Sequence, residues 1–222
     1  MPAERVSLAL FARAPIAGRT KTRLIPALGA EGAAALARAF LHDTLSRVAE
    51  LDADATIWAA SEHDRAALSG EVALPIAVQP EGDLGARMEA ALRDGIERTG
   101  RALVLGTDAP TLPLGHLRAA IEALDRAEVV LGPAADGGFW VIGARAPLAL
   151  GPGVRWSSRH ALADTIALVQ QDGRTVERIA PWYDVDTSAD LALLRAHLAL
   201  RPGAAPRTAA ALACFDPPVK PQ

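Results

Sequence analysis

Cysteine is almost missing from this chain: Cys214 is the single one in 222 residues. That excludes an intramolecular disulfide and any metal site built from clustered cysteines. Lysine is nearly as scarce. Of 23 basic residues only Lys21 and Lys220 are lysines, so a Lys kept where Arg is otherwise used points to a site that wants a compact point charge. No stretch approaches the ~18 apolar residues that a bilayer-crossing helix needs, and the N-terminus lacks a signal-peptide layout. The expectation is a cytoplasmic chain with no membrane span. Positive charge is not in excess either: the net charge is −3, which argues against nucleic acid as a partner. The five histidines, at 42, 63, 116, 160 and 197, fall at no metal-ligand spacing. There is no G-x-S-x-G, no Walker A loop and no G-x-G-x-x-G, so hydrolase, P-loop and dinucleotide-binding readings lose support.

What remains is an ordinary globular composition, with 50% hydrophobic and 22% charged residues, in a length that suits one sizeable domain. Strand and helix patterns alternate. Strands are expected at 6–11, 55–60, 72–79 (at an edge, because of Pro75), 102–106, 128–131, 139–142 and 175–179. Helices are expected at 31–51, 61–68 behind a Ser61 N-cap, 84–99 behind Asp83, 114–126, 160–171 and 188–200. Such alternation predicts an α/β fold with a mostly parallel central sheet and helices on both faces. Residues 1–200 read as a single domain. Residues 201–222, rich in Pro and Ala, read as a loosely packed tail.

Four segments carry chemistry. Phe11–Leu24 follows the first strand and brings Arg13, Arg19, Lys21 and Arg23 together with Pro15 and Gly18. A basic loop at that place lies at the carboxyl edge of the sheet, where α/β folds bind ligands, and clustered cations with free amides suit phosphate. A solvated surface loop is the plain alternative. Gly106–Pro113 puts Asp108 at the end of a buried strand, either as a ligand to Mg²⁺ or Mn²⁺ beside phosphate oxygens or as a turn residue. Gly132–Gly143 carries Asp136, Gly137 and Gly138, either a tight turn between strands or a loop that lets a ligand approach the backbone. Trp182–Leu191 offers Asp184 and Asp186 ahead of a helix that Thr187 or Ser188 caps, with Asp190 explained by that cap. One of Asp184 and Asp186 can join Asp108 on a metal. Two further loops complete the set: Gln79–Arg87, with Gly82, Gly85 and Arg87 near a base, sugar or phosphate, and Trp156–Arg159, as an acceptor loop or a helix cap.

Taken in order, Lys21–Leu24 (K-T-R-L), Gly106–Pro110 (G-x-D-x-P), Asp136–Phe139 (D-G-G-F) and Asp184–Thr187 (D-x-D-T) resemble the nucleotide-diphospho-sugar transferase superfamily with its GT-A fold. They are most similar to a bacterial GT-A-like family, linked with radical-SAM pathways and described as glycosyltransferases. The loop A-G-R-T-K-T-R-L also resembles that of guanylyltransferases acting on phospholactate. The resemblance spans about residues 5 to 195. It implies that Arg13, Lys21 and Arg23 bind the donor phosphates; with Gly18 of the same loop and Gly82, Gly85 and Arg87 of the later one, they make up the expected nucleotide-binding set. It implies further that Asp108 and Asp186 hold Mg²⁺ or Mn²⁺, and that Asp136 faces the acceptor or sugar; Gly137, Gly138, Trp156 and Ser157 are expected beside it at the acceptor. Asp108, Asp136 and Lys21 would carry the catalysis. Where sugar nucleotidyltransferases have Gly-Gly-x-Gly, this chain has Ala12-Arg13-Ala14-Pro15, and it lacks a D-x-D in mid-chain. The expected activity is a metal-dependent transfer from a nucleotide-linked donor, foremost glycosyl transfer from an NDP-sugar to a small-molecule acceptor. The alternatives are nucleotidyl transfer with release of pyrophosphate and a non-catalytic nucleotide-binding subunit.

Overall fold

The computed structural model describes residues 5–215. Their strands form a seven-stranded sheet in the order β3-β2-β1-β4-β6-β5-β7. These are β1 (Val6–Ala12), β2 (Ala53–Ala59), β3 (Ile76–Val78), β4 (Ala102–Gly106), β5 (Val129–Pro133), β6 (Phe139–Ala144) and β7 (Val176–Arg178). Only β6 runs antiparallel to its neighbours, β4 and β5; the remaining pairs are parallel. The continuous apolar runs of β1 and β4 follow from this position, since a central parallel strand is buried on both faces. Pro75 does sit beside an edge strand: β3 pairs with β2 alone, so the missing N–H costs no ladder bond.

Helices cover both faces. On one, α1 (Ile25–Val48), α2 (Glu62–Leu68) and α4 (Leu114–Ala123) lay Leu41, Leu68 and Leu117 against Leu8, Leu10 and Leu103 of the sheet. On the other, α3 (Leu84–Thr99) and α5 (Ala161–Gln171) bring Met88, Leu92 and Val169 against Ala9, Val104 and Ile142. The caps expected at Ser61 and Asp83 are present, each accepting from the amide three residues on.

Two expectations need correction. The helix expected from residue 31 starts at Ile25 and is interrupted at Gly29, which sits at φ 73°. The span Thr22–Val48 is, by length and composition, long and apolar enough to cross a membrane. The absence of such a stretch therefore does not hold. In the fold this helix packs between the sheet and an outer layer, burying Leu41 and Val48 on one side and Leu28, Leu36 and Phe40 on the other.

That outer layer is the second correction. It consists of α6 (Ser188–Leu200) and α7 (Pro206–Ala213). The segment expected as a loose tail from residue 201 thus contains a helix, with Ala205 and Leu212 buried against Leu28, Leu36 and Phe40. Asp43 of α1 accepts hydrogen bonds from the Arg207 and Thr208 amides, at 3.1 and 2.8 Å, and so satisfies the exposed donors at the start of α7. Proline at the first helical position is a start signal, and Pro206 is one; the Ala-rich composition obscured it. Residues 216–222 of the expected tail lie outside the described residues.

Candidate functional site

Strands β1, β3, β4, β5 and β7 all point the same way, so the loops that leave their carboxyl ends meet at one edge. These loops are the four chemical segments and the loop Gln79–Asp83.

Lys21 ties three of them together. Its ammonium donates to Asp108 Oδ1 at 2.8 Å, Asp186 Oδ1 at 2.7 Å and the Val185 carbonyl at 2.8 Å. The Val185 amide in turn donates to the Asp108 carbonyl at 3.0 Å. The side chain is 6% exposed and lies over the Phe40 ring, 5.6 Å from its centroid. An ammonium has three donors, and all three are used. Lys21 is therefore a clamp that sets two carboxylates side by side, and has no N–H left for a phosphate. Burial alone would lower its pKa; Asp108 and Asp186 outweigh burial and raise it. The residue takes the left-handed conformation, φ 45°, rare for anything but Gly, Asn or Asp.

Asp108 and Asp186 keep about half of their side-chain surface exposed. In each the second carboxylate oxygen has no hydrogen bond among the described residues. Two adjacent carboxylates with free oxygens fit a hard cation that takes its other ligands from water and substrate phosphate. No cluster of three or more metal-ligating side chains occurs among the described residues, so such a cation would depend on those outside ligands. The backbone at Asp186 is fixed by Asp190, whose Oδ2 accepts from the Asp186 and Thr187 amides and from the Thr187 hydroxyl. Asp190 is thus part of the cap of α6, as expected.

Beside Asp108 a cleft of about 220 Å³ is walled by Asp136, Asp184, Phe139, Trp140, Trp156 and Ser157. Asp184 and Asp186 stand two residues apart ahead of α6, close enough for their charges to act on each other, yet their side chains take different partners. Asp186 goes to Lys21 and Asp184 to the cleft. Burial first, then the charges of Asp136 and Asp186, push Asp184 up to about 6. Phe139 and Trp140 were readable only as strand residues; nothing in an apolar run shows which of its members face a ligand.

Several expected ligand contacts turn out to be packing. Gly85 is buried under Trp156 and the Leu150 carbonyl, where a Cβ would collide, so it does not face a base or sugar. Gly137, at φ 90°, packs on the backbone of Arg159 and accepts from the Leu162 amide. Gly138 donates its amide to Asp136 Oδ1 at 2.8 Å, which locks the turn, and it still lines the cleft. Arg87 donates to the Gly82 carbonyl at 3.1 Å, bracing its own loop. Ser158 helps cap the next helix by accepting from the His160 amide, while Trp156 and Ser157 reach the cleft. Gly18 sits at φ 76° in open space, and Arg13, Arg19 and Arg23 are exposed with no ion pair among the described residues.

Residues 44–158 match the family described as "Uncharacterized protein conserved in bacteria (DUF2064)". The chain belongs to this family. Among curated proteins none matches this DUF2064 chain. A solved protein from Desulfovibrio desulfuricans G20, provisionally described as a nucleotide-diphospho-sugar transferase, is 29% identical over 93% of both chains with a TM-score of 0.82. The DUF2064 fold is thus that of the nucleotide-diphospho-sugar transferases. Rv0371c of Mycobacterium tuberculosis H37Rv, solved in complex with manganese, is 21% identical over 86% of this chain and 98% of its own, with a TM-score of 0.51. The 2-C-methyl-D-erythritol 4-phosphate cytidylyltransferase of Thermus thermophilus is 18% identical over 87% of this chain and 98% of its own, with a TM-score of 0.52.

Proposed function

We propose that this protein is a divalent-metal-dependent transferase that takes a nucleotide-linked donor and delivers a glycosyl group to a small hydroxylated acceptor. The observation that carries this reading is the Lys21 clamp: two carboxylates held by one ammonium at the edge of a cleft walled by aromatic rings and two further carboxylates. Aromatic faces with carboxylates that accept from hydroxyls are the chemistry that holds a sugar.

Asp108 and Asp186 would hold Mg²⁺ or Mn²⁺, which neutralises the donor diphosphate. Arg13, Arg19 and Arg23 gather its remaining oxygens and stabilise the negative charge as the diphosphate leaves. Asp136, through its second oxygen, and Asp184 receive the acceptor hydroxyl. As that oxygen bonds to the sugar's anomeric carbon, the bond to the diphosphate breaks and the hydroxyl proton passes to a carboxylate. Lys21 positions the metal-facing pair and touches no substrate.

A second reading is nucleotidyl transfer. Three arginines without an ion pair among the described residues suit a triphosphate, and the acceptor would then attack the α-phosphate with loss of pyrophosphate. Two measurements decide. Thermal shifts against NTPs and NDP-sugars, with and without Mn²⁺, identify the donor, because a ligand that binds only the native state raises its melting temperature. Product analysis identifies the bond that breaks. Glycosyl transfer predicts a metal-dependent shift with one NDP-sugar and release of NDP. Pyrophosphate as product replaces it with the second reading. The Asp108→Asn variant is expected to lose the metal dependence in either case.

A further inference from the structure

Behind the catalytic loops lies a second cavity, of about 370 Å³, that shares no lining residue with the cleft. One wall carries the guanidiniums of Arg47 and Arg201 and the imidazole of His197. The other is apolar, with Trp182 and Leu114. We propose that this cavity binds a small organic oxyanion, a phosphate or carboxylate carried on a ring or other apolar body.

The donors are already arranged for it. Trp182 Nε1 donates to Thr111 Oγ1 at 3.4 Å, and Thr111 Oγ1 donates to the Tyr183 hydroxyl at 3.0 Å. That leaves the Tyr183 proton for His197 Nδ1, 2.8 Å away. An imidazole that accepts at Nδ1 carries its own proton on Nε2, so the relay leaves a His197 donor without a partner among the described residues. The Trp182 ring meets the His197 ring edge-on at 5.7 Å between centroids, which holds the imidazole in place.

Neither guanidinium is ion-paired at contact distance among the described residues, although Asp43 and Glu50 act on Arg47 from farther off. Arg201 has no ion pair among the described residues. Arg47 spends one nitrogen, Nη1, on the Pro110 and Leu112 carbonyls and makes no ion pair with a carboxylate among them. The pKa of His197 is held below the usual imidazole value, first by burial and then by Arg201 and Arg47. A half-buried pocket that keeps two guanidiniums and a free imidazole N–H together suits an anion, and forked guanidiniums prefer a planar or tetrahedral oxyanion. The volume is that of a small-molecule site.

The oxyanion site stands independently of the nucleotide reading. It is tested by calorimetric titration with phenyl phosphate and with inorganic phosphate, together with the indole and imidazole signals in ¹H–¹⁵N NMR spectra. Phenyl phosphate is expected to bind at least tenfold more tightly than inorganic phosphate and to shift the Trp182 indole and His197 signals. Arg201→Gln, at an exposed position, and His197→Gln are each expected to weaken it tenfold or more with the fold intact. The double variant Arg13→Gln/Arg23→Gln, in the basic loop, should leave it unchanged. Undiminished binding to Arg201→Gln, or binding lost only in the basic-loop variant, would overturn the proposal; the latter result places the oxyanion at the catalytic edge.

Discussion

Lys21 combines two costs that a chain does not carry without return: a left-handed backbone at φ 45°, worth roughly 1–2 kcal/mol for a residue with a Cβ, and an ammonium with 6% of its side-chain surface exposed. The return is a fixed spacing of Asp108 and Asp186. Replacing Lys21 by Met removes the charge and keeps the volume, leaving two carboxylates to repel each other. Because both carboxylates reach water, the loss of stability is expected at about 1–3 kcal/mol, below that of a fully buried pair. Turnover is expected to fall a hundredfold or more. Lys21→Arg should not rescue it, since a planar fork cannot direct three bonds from one point. Urea unfolding beside steady-state rates separates the two effects, and near-wild-type turnover in Lys21→Met would show the clamp to be dispensable.

The glycines at this scale divide in a way that sequence does not reveal. Gly18 and Gly137 both lie at positive φ, yet a Cβ at Gly18 meets open space and one at Gly137 meets the Arg159 backbone. Gly18→Ala is expected to cost about 1 kcal/mol from backbone strain alone, and Gly137→Ala at least about 2 kcal/mol, since overlap with backbone is added to strain. Denaturant midpoints of the two variants check the order; equal costs would contradict it. A D-G-G motif announces a tight turn but not whether its second residue faces a ligand or a neighbouring loop. The same limit applied to Gly85 and to Arg87, both read toward a ligand and both found supporting their own surroundings.

At the scale of elements, the legible features were those with local causes. The Asp83 N-cap, the buried run of β4 and the edge position signalled by Pro75 follow from sequence because each rests on chemistry within a few residues. The direction of β6 did not, because antiparallel insertion between β4 and β5 is a long-range pairing. Helix α6 matters for function through its start. Thr187 accepts from the Asp190 amide while Asp190 accepts at the cap, a reciprocal box, and Asp190 also holds the Asp186 amide. Thr187→Ala is expected to cost about 1 kcal/mol of stability and a larger share of activity, because the segment carrying Asp184 and Asp186 loosens. Thr187→Ser, which keeps the oxygen, should restore both. A loss of stability with unchanged rates would separate the cap from the site.

For the whole molecule, the decisive question is whether the chain after Leu200 belongs to the fold. Composition says tail, but packing says otherwise. Leu212 is 3% exposed against Leu28 and Phe40, and Phe215 lies over Gly32 of α1. Asp43, 2% exposed, has both oxygens occupied by amides at the start of α7. Deleting residues from Pro206 onward would uncover this layer and strand a buried carboxylate. Lost apolar burial of one large side chain and its neighbours, with two unmade hydrogen bonds, amounts to roughly 3–5 kcal/mol. At this chain length that corresponds to a fall in melting temperature of roughly 6–20 °C. Asp43→Asn, which keeps the acceptor oxygen but drops the charge and one acceptor, should fall between the deletion and wild type. A true tail predicts the same melting temperature with and without the segment. Because α7 bears on the Leu28–Phe40 side of α1, and the Phe40 ring lies under the Lys21 ammonium, the deletion should also depress turnover. Activity retained at a lowered melting temperature would show that the outer layer supports the fold without shaping the site.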